Sequence, residues 1–545
     1  MASMQTPRRR ITLVASNCSQ EDIHPLIALA QALVKKGHIV KLATEVCHKS
    51  YIAEFDLAFD ALYGNKSSTS RHIGEVAQPA LFRSTRKDPN ATLILESYRA
   101  KLADAEVIIA IGQAIYPAYS VAHSISASFI PLFLNAMMPT SEFTSCFSTP
   151  LMDHFCFFNK RWTHTNLFSS IWAAENKALG LNSWRQTLGL HALDKYGILN
   201  ELSMNPESPI FMACSTITCG PKQRKPQDYD NRMHVGGFLF VENEEINIDP
   251  DLESFLLRNE RHTFEHTMIE EEKDAEPFNQ PDQIKRPIIY IGVDNIPLQN
   301  PLSFLKLVCQ VCSVVQCRAV LVLGAYSYKC CSLNTSPCTE LLNRYKDIIF
   351  VTAVVNKRWL FPKMHCIVHD CAVSAMGEVL RSGTPSIPCP SSSHGHKLAK
   401  ILVGHGIAPC DIPFAQLTQV KLSDTLKIVL DPISRVNFYE NSKLIATFVK
   451  QESKDSLMKY CDIITSADAG KQWKKSPPVC VSRNFHTVLK ARRRTNKLGR
   501  FKLKYTMSNT DEVCVDSNCM PLIQSNGYIK IDCRKDDNFN YVLQY

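Results

Sequence analysis

No stretch of this chain stays apolar for the roughly 18 to 20 residues that a bilayer-spanning helix needs. Its least polar region, Val107 to Met138, is broken by Gly112, Gln113, Pro117, His123 and Pro131. No secretory signal is expected either, because the run Ile11 to Ala15 behind Arg8, Arg9 and Arg10 is too short an apolar centre. The chain therefore reads as cytoplasmic, with peripheral contact to membranes left open. Tandem repeats and low-complexity tracts are absent. With 45 % apolar and 21 % charged residues, collagen-like, coiled-coil and largely disordered classes are excluded. The 545 residues predict two or three domains at roughly 150 residues each.

Paired metal knuckles are missing too. The 21 cysteines are an odd number in a chain without a signal, so reduced thiols are expected rather than a disulfide framework. Cys309, Cys312 and Cys317 give one C-x-x-C with a follower, and Cys330 and Cys331 are adjacent. Structural zinc sites usually pair two such knuckles. The first pair falls in the amphipathic pattern Phe304 to Val315, which predicts buried thiols on a helix face and no metal. The sequons at Asn17, Asn65, Asn90 and Asn334 are read as accidental for the same compartment reason.

A charge excess is absent from most of the chain. The net charge is +9, yet Arg483 to Lys504 alone holds nine basic residues and no acid, so the remainder is neutral. The opposite bias lies in Glu242 to Gln283, with 14 acids against Arg258, Arg261 and Lys273. That segment reads as an acidic linker whose part after Leu257 lacks apolar periodicity. Lys490 to Lys504 interleaves Phe501 and Leu503 with charge, which suits an anionic membrane surface or an intramolecular contact with the acidic linker. A solvated face or localisation signal is the plainer alternative, and nucleic acid is not the expected partner.

What the chain does have is alternation. Ile11 to Ala15 reads as a strand, Pro25 to Lys36 as a helix with Pro25 in its first turn, and His38 to Ala43 as a second strand. Val107 to Ile111 and Phe129 to Phe133 repeat the strand signal. A second series follows in Ile288 to Val293, Arg318 to Gly324, Asp347 to Ala353, Cys366 to Asp370 and Pro385 to Pro390, with a helix ending near Gly383. Asn441 to Ile464 reads as helical, and Gly527 to Asp532 and Asn540 to Gln544 as short strands. The fold class is α/β: two Rossmann-like doubly wound domains facing a cleft, plus a C-terminal appendix. The expected bounds are 11–241, an acidic linker 242–286, 287–467, and an appendix 468–545.

Several segments carry a family resemblance. Ile11 to Thr44, Phe158 to Leu190, Asn231 to Phe240 (NRMHVGGFLF), Pro287 to Gly292, Arg358 to Asp370 (RWLFPKMHCIVHD) and Leu380 to Pro390 (LRSGTPSIPCP) stand in consistent order. Together they resemble the GT-B UDP-glycosyltransferases, most closely the sterol 3-beta-glucosyltransferases, over about Ile11 to Ala467. The resemblance implies inverting transfer from a UDP-sugar co-substrate to a sterol or other lipid hydroxyl, with no further cofactor. Such a reaction needs a base for the hydroxyl proton and positive charge for the leaving diphosphate. The resemblance makes Asp22 the candidate base, on the acid of the family's G-T-R-G-D-V-Q-P loop if one residue is inserted, and His24, on its Gln, a second candidate, since neutral imidazole accepts a proton near neutral pH. Asp22 equally suits a helix-terminal carboxylate that compensates free amides.

The donor side departs from the family. Where the family has H-H-G-G-x-G-T, this chain has His369, Asp370, Cys371, Ala372, Val373, Ser374 and Ala375. Asp370 puts a carboxylate where phosphate is expected, while His369, Ser374 and Ala375 keep a reduced anion-binding turn. The family's F-F-G-D-Q segment falls on Ser391 to Gly395, leaving His394 at a sugar-contacting position. Its G-F-G-S-M turn falls on Gly292 to Ile296, with Asp294 as a second acid. Trp359 persists, as does Gly383. On the acceptor side Phe143, Phe147 and Phe155 would line an apolar pocket, or simply a core. The resemblance thus leaves two readings: a divergent transferase, or an inactive relative that keeps the cleft as a ligand- or partner-binding scaffold.

Overall fold

The computed structural model describes residues 8–64, 87–148, 159–205, 207–241, 248–257, 286–293, 296, 298–324, 328 and 337–466, with five short strands between residues 492 and 544. Two parallel sheets form its body. The first is built from β1 (Arg10–Val14), β2 (Ile39–Glu45), β3 (Ala58–Leu62), β4 (Val107–Ala110), β5 (Ser128–Phe133), β6 (Ile210–Met212) and β7 (Met233–Val235), in the order β3-β2-β1-β4-β5-β6-β7. Every neighbouring pair is parallel, with Ile11 beside Val40 and Val107. Strands β4 and β5 are buried along their whole length, as expected when helices cover both faces of a sheet.

The second sheet contains β8 (Ile288–Val293), β9 (Arg318–Leu323), β10 (Ile349–Thr352), β11 (Cys366–His369) and β12 (Ser386–Pro388), in the parallel order β10-β9-β8-β11-β12. Both orders reverse beside the first strand of their series, the point at which doubly wound sheets open a ligand crevice at their carboxyl ends. Those ends lead into α1 (Gln20–Lys35) after β1 and α4 (Val373–Ser382) after β11.

Five further helices matter here. α2 (Pro250–Leu257) opens the acidic segment and buries Leu252 and Phe255 with Tyr290, Val320 and Phe361 against the second sheet. α3 (Lys357–Leu360) is a single turn between β10 and β11, and α5 (Ser393–Gly404) follows β12. α6 (Gln419–Leu430) packs Leu422, Leu426 and Val429 into the core of the second sheet. α7 (Pro432–Ser466) is 35 residues long and returns to the first sheet. There Tyr460 stacks on Phe211 at 4.1 Å, and Cys461 and Ile464 join the core around Ile11 and Leu29.

Pro25 does not open α1. It is the sixth residue of a helix that starts at Gln20, because Ser19 caps that start. The proline therefore costs one helical hydrogen bond, at the carbonyl of Glu21. Cys309 and Cys312 lie buried in the helix Pro301–Val315, as the pattern suggests, and no group of three or more metal-ligating side chains occurs among the described residues. Cys330, Cys331, most of the acidic linker and residues 527–531 lie outside the described residues. In the appendix, Arg492–Thr495, Phe501–Thr506 and Glu512–Asp516 form an antiparallel sheet, and Asp532–Lys535 pairs with Tyr541–Gln544. Among the described residues no helix is long and apolar enough to cross a membrane.

Candidate active site

The loop between β1 and α1 is held from below by a buried carboxylate. Glu45, at the end of β2, accepts hydrogen bonds from Ser16 Oγ (2.9 Å), the Asn17 amide (2.7 Å) and Thr44 Oγ1 (2.9 Å). This fixes Asn17 in a left-handed conformation, φ 53°, which short polar residues tolerate better than most. The chain then enters α1 through a reciprocal cap. Ser19 Oγ accepts from the Asp22 amide at 3.2 Å, and Asp22 Oδ2 accepts from the Ser19 amide at 3.1 Å and hydroxyl at 2.8 Å.

Asp22 is thus engaged at the helix start, the second of the two roles its position suggested. It does not line the cavity between the sheets, whereas Glu21 and His24 from the same helical turn do. His24 Nε2 shares a hydrogen bond with the Tyr51 hydroxyl, and the two rings lie 5.6 Å apart.

On the facing side, β11 ends at His369, and the chain turns through Asp370, Cys371 and Ala372 into α4. Asp370 is buried, and its Oδ1 accepts from the Ala372 amide at 3.0 Å. The carboxylate therefore turns inward onto the helix start, taking up an amide that a bound phosphate would otherwise use. Cys371 adopts φ 59°, a conformation in which the glycine of the family motif would be unstrained. His369 accepts the Cys371 amide on Nδ1 at 3.3 Å, which leaves Nε2 carrying the proton. That Nε2 is buried without a hydrogen-bond partner among the described residues. Burial first, and then the charge of Lys357, push the imidazole down to about 3, so it stays neutral.

The remaining sequence candidates divide. Ala375 sits buried in the first turn of α4, and the side chain of Ser374 is outside the described part. Trp359 lies in α3 with the Lys363 ammonium 4.8 Å from its ring centre. Gly292 packs against its own strand's Tyr290: a Cβ there would lie 2.4 Å from the Tyr290 hydroxyl. Packing alone thus accounts for that glycine. Phe143 packs on Gly220 and on His164, 5.8 Å between rings. Phe147 instead reaches the other half, edge to face with His394 at 5.8 Å. Asp294, Asn295 and Phe155 lie outside the described residues.

Contacts between the halves include residues that the sequence patterns did not single out. Lys357 of α3 pairs with Glu21 of α1 at 2.5 Å, and Arg358 Nη1 donates to the Val241 carbonyl at 2.6 Å. Lys397 of α5 donates to Thr144 Oγ1 (3.0 Å), the Ser145 carbonyl (2.8 Å) and Ser148 Oγ (2.5 Å). Phe238 and Phe240, which follow β7, lie over Gly377 of α4, and the Arg381 guanidinium covers the Phe240 ring at 4.2 Å. Between these contacts remains a cavity of about 50 Å³, walled by Glu21 and His24 on one side and by Arg358, Val373 and Gly377 on the other. Small-molecule sites usually run to about 300 Å³ or more. As it stands, the cavity between the halves is thus smaller than a typical small-molecule site.

No family model matches the chain. Among curated proteins it is 23 % identical to the sterol 3-beta-glucosyltransferase of Pichia angusta over 461 residues, covering 82 % of this chain and 32 % of that protein. It is 20 % identical to the sterol 3-beta-glucosyltransferase UGT80B1 of Arabidopsis thaliana over 466 residues, covering 81 % and 66 %. A Vanderwaltozyma polyspora sterol 3-beta-glucosyltransferase gives 24 % over 430 residues, covering 76 % and 31 %. The chain thus spans about a third of the yeast relatives and about two thirds of the plant one. Among solved structures, the glycosyltransferase of kitacinnamycin superposes with a TM-score of 0.55 at 17 % identity, covering 84 % of this chain and 98 % of that one. The spinosyn forosaminyltransferase SpnP gives 0.52 at 13 %, covering 84 % and 100 %. The chain has the GT-B fold, and its sequence resembles the sterol 3-beta-glucosyltransferases over about four fifths of its length.

Proposed function

We propose that this chain transfers a sugar from a UDP-sugar to the hydroxyl of a sterol or other lipid. One observation carries the reading: the first turns of α1 and α4, each at the carboxyl end of its own sheet, wall the same cavity. In that arrangement His24 takes the acceptor proton, since imidazole accepts protons near neutral pH. Asp22 holds the turn on which His24 stands. The amides of α4, with His369, Ser374 and Ala375, receive the diphosphate, and Trp359 and His394 border the donor. Phe143 and Phe147 lie on the acceptor side, where apolar rings suit a lipid.

The test is to incubate the full chain with radiolabelled UDP-glucose and a sterol in detergent, and to follow label into the lipid phase. Label should appear, and His24→Ala should abolish it. Lack of label with UDP-glucose, UDP-galactose and UDP-glucuronate alike overturns the reading. A second reading, a GT-B scaffold that transfers nothing, draws its support from the Asp370 carboxylate on the Ala372 amide. It predicts no label even where nucleotide binds.

For the basic stretch Lys490 to Lys504 we propose pairing with the acidic segment Glu242 to Gln283. Deleting 483–504 should then speed proteolysis of the acidic segment at low salt, and unchanged cleavage rates count against the pairing.

A further inference from the structure

The long helix α7 has two unlike faces. Inward, Ala446, Val449, Tyr460 and Ile464 are buried. Outward, Ile433 is 83 % exposed, Val436 52 %, Leu444 70 % and Phe448 47 %. At about 100° per residue, these four fall within roughly 120° of one another around the helix. They form one apolar stripe about 22 Å long, with the exposed Glu440 inside it. Single apolar residues scattered over a surface need no explanation, but an aligned row of large ones marks a contact surface.

The appendix carries a matching face. In its three-stranded sheet Leu503 stands opposite Val515 and Arg493, and Tyr505 opposite Val513; Lys504 stands opposite Arg492 and Cys514, and Lys502 opposite Arg494 and Asp516. Successive residues of a strand alternate between faces. One face therefore holds the positions of Phe501, Leu503, Tyr505, Val513 and Val515, and the other those of Arg492, Arg494, Lys502 and Lys504. A sheet with one apolar face buries it against another element. The remaining hairpin offers no match, because Lys535 shares a face with Cys533, Tyr541 and Leu543, and Asp532 and Arg534 share one with Val542 and Gln544. α7 ends at Ser466 and the sheet begins at Arg492. Residues 467–491 reach up to about 80 Å, more than the roughly 50 Å from Ile433 to Ser466, so the sheet can lie anywhere along the helix. Covalent attachment holds it there at a local concentration on the order of millimolar, which favours it over a second copy or a free partner. We propose that the outer face of α7 from Ile433 to Phe448 is the docking site for the apolar face of the sheet Arg492–Thr495, Phe501–Thr506 and Glu512–Asp516. The basic face then remains available to the acidic segment. The appendix becomes a strap over the helix that joins the two halves, whatever the cleft binds.

The experiment puts the photo-reactive residue p-benzoylphenylalanine in place of the exposed Leu444 of the full chain, irradiates it, and maps the cross-links by mass spectrometry. Cross-links within one chain to peptides of 492–516 are expected. Leu503→Asp sets a carboxylate in the docked face and should cut their yield about tenfold. Lys504→Asp, on the opposite face, should leave the yield unchanged. Thermal melts confirm that both variants are folded, and if Leu503→Asp is not, the cross-link map of the photo-reactive chain without it decides alone. Cross-links that join two chains, cross-links only to added phosphatidylserine vesicles, or none to 492–516 overturn the proposal, as does an equal loss of yield in both folded variants.

Discussion

Replacing Lys397 by Met should loosen the loop Thr144 to Ser148 from the second half. The ammonium has three N–H donors and meets three acceptors across the interface, at 3.0, 2.8 and 2.5 Å. Methionine keeps the length of the stem and loses all three bonds. Hydrogen bonds from a charged donor contribute about 1.5 to 3 kcal/mol each when counted singly. They are not additive, and part of their sum is offset by returning the ammonium to water. Two of the acceptor residues, Ser145 and Ser148, are only 2 % exposed, so water does not readily replace the lost donor. A net loss of about 3 kcal/mol follows. At about 2 °C per kcal/mol for a large domain, the melting temperature should fall by about 6 °C. Thr144→Val removes one acceptor and should cost about 1 kcal/mol. Thermal melts by circular dichroism, with proteolysis of the loop followed by mass spectrometry, measure both. A Lys397→Met shift no larger than that of Thr144→Val refutes the reasoning.

Other outcomes follow from single positions. Gly237 has φ 60°, and a Cβ there would lie 2.7 Å from Ser453 Cα and 2.8 Å from the Glu452 carbonyl oxygen. Gly237→Ala should therefore push α7 from the first sheet and cost about 3 kcal/mol in urea melts. At Cys371, with φ 59°, the usual order inverts: Cys371→Gly should be more stable than Cys371→Ala by about 1 kcal/mol, and the opposite order would contradict the strained turn. Burial holds His369 at about 3 and His394 at about 4, against the usual 6.5. Between those limits the unfolded chain binds protons that the folded chain refuses, so stability falls as pH falls below 6.5 and is unaffected by these groups above it. At pH 5 the two should together cost about 4 kcal/mol relative to pH 7. Equal urea midpoints at the two pH values would contradict this.

Most of the body was legible because central parallel strands are continuous apolar runs. Ile288 to Val293 matches β8 residue for residue, and Val107 to Ile111 and Arg318 to Gly324 differ from β4 and β9 by one residue. The strands that escaped notice, Ala58–Leu62, Ile210–Met212 and Met233–Val235, are short and lie towards the sheet's margins. Runs of three to five residues carry too few positions to show a period. The start of α1 was misplaced because a proline is a strong first-turn signal, and here the capping pair Ser19 and Asp22 outweighs it.

The site was legible in outline only. Order along the chain brings α1 and α4 to one cleft, so His24 and the His369 turn could be named. Glu21 and Lys357 are 336 residues apart, and Lys397 is about 250 from its partners. No local pattern marks such pairs, because they exist only once the halves close. Asp370 was recognised as a misfit for phosphate, but its inward turn onto Ala372 follows from the left-handed Cys371, which sequence spacing does not reveal.

The central claim is that the cavity between α1 and α4 is the closed form of a nucleotide-sugar site. Calorimetric titration of the full chain with UDP-glucose tests it most directly. The account predicts saturable binding at millimolar ligand or below. Absence of heat and of any thermal shift at millimolar UDP-glucose would contradict it.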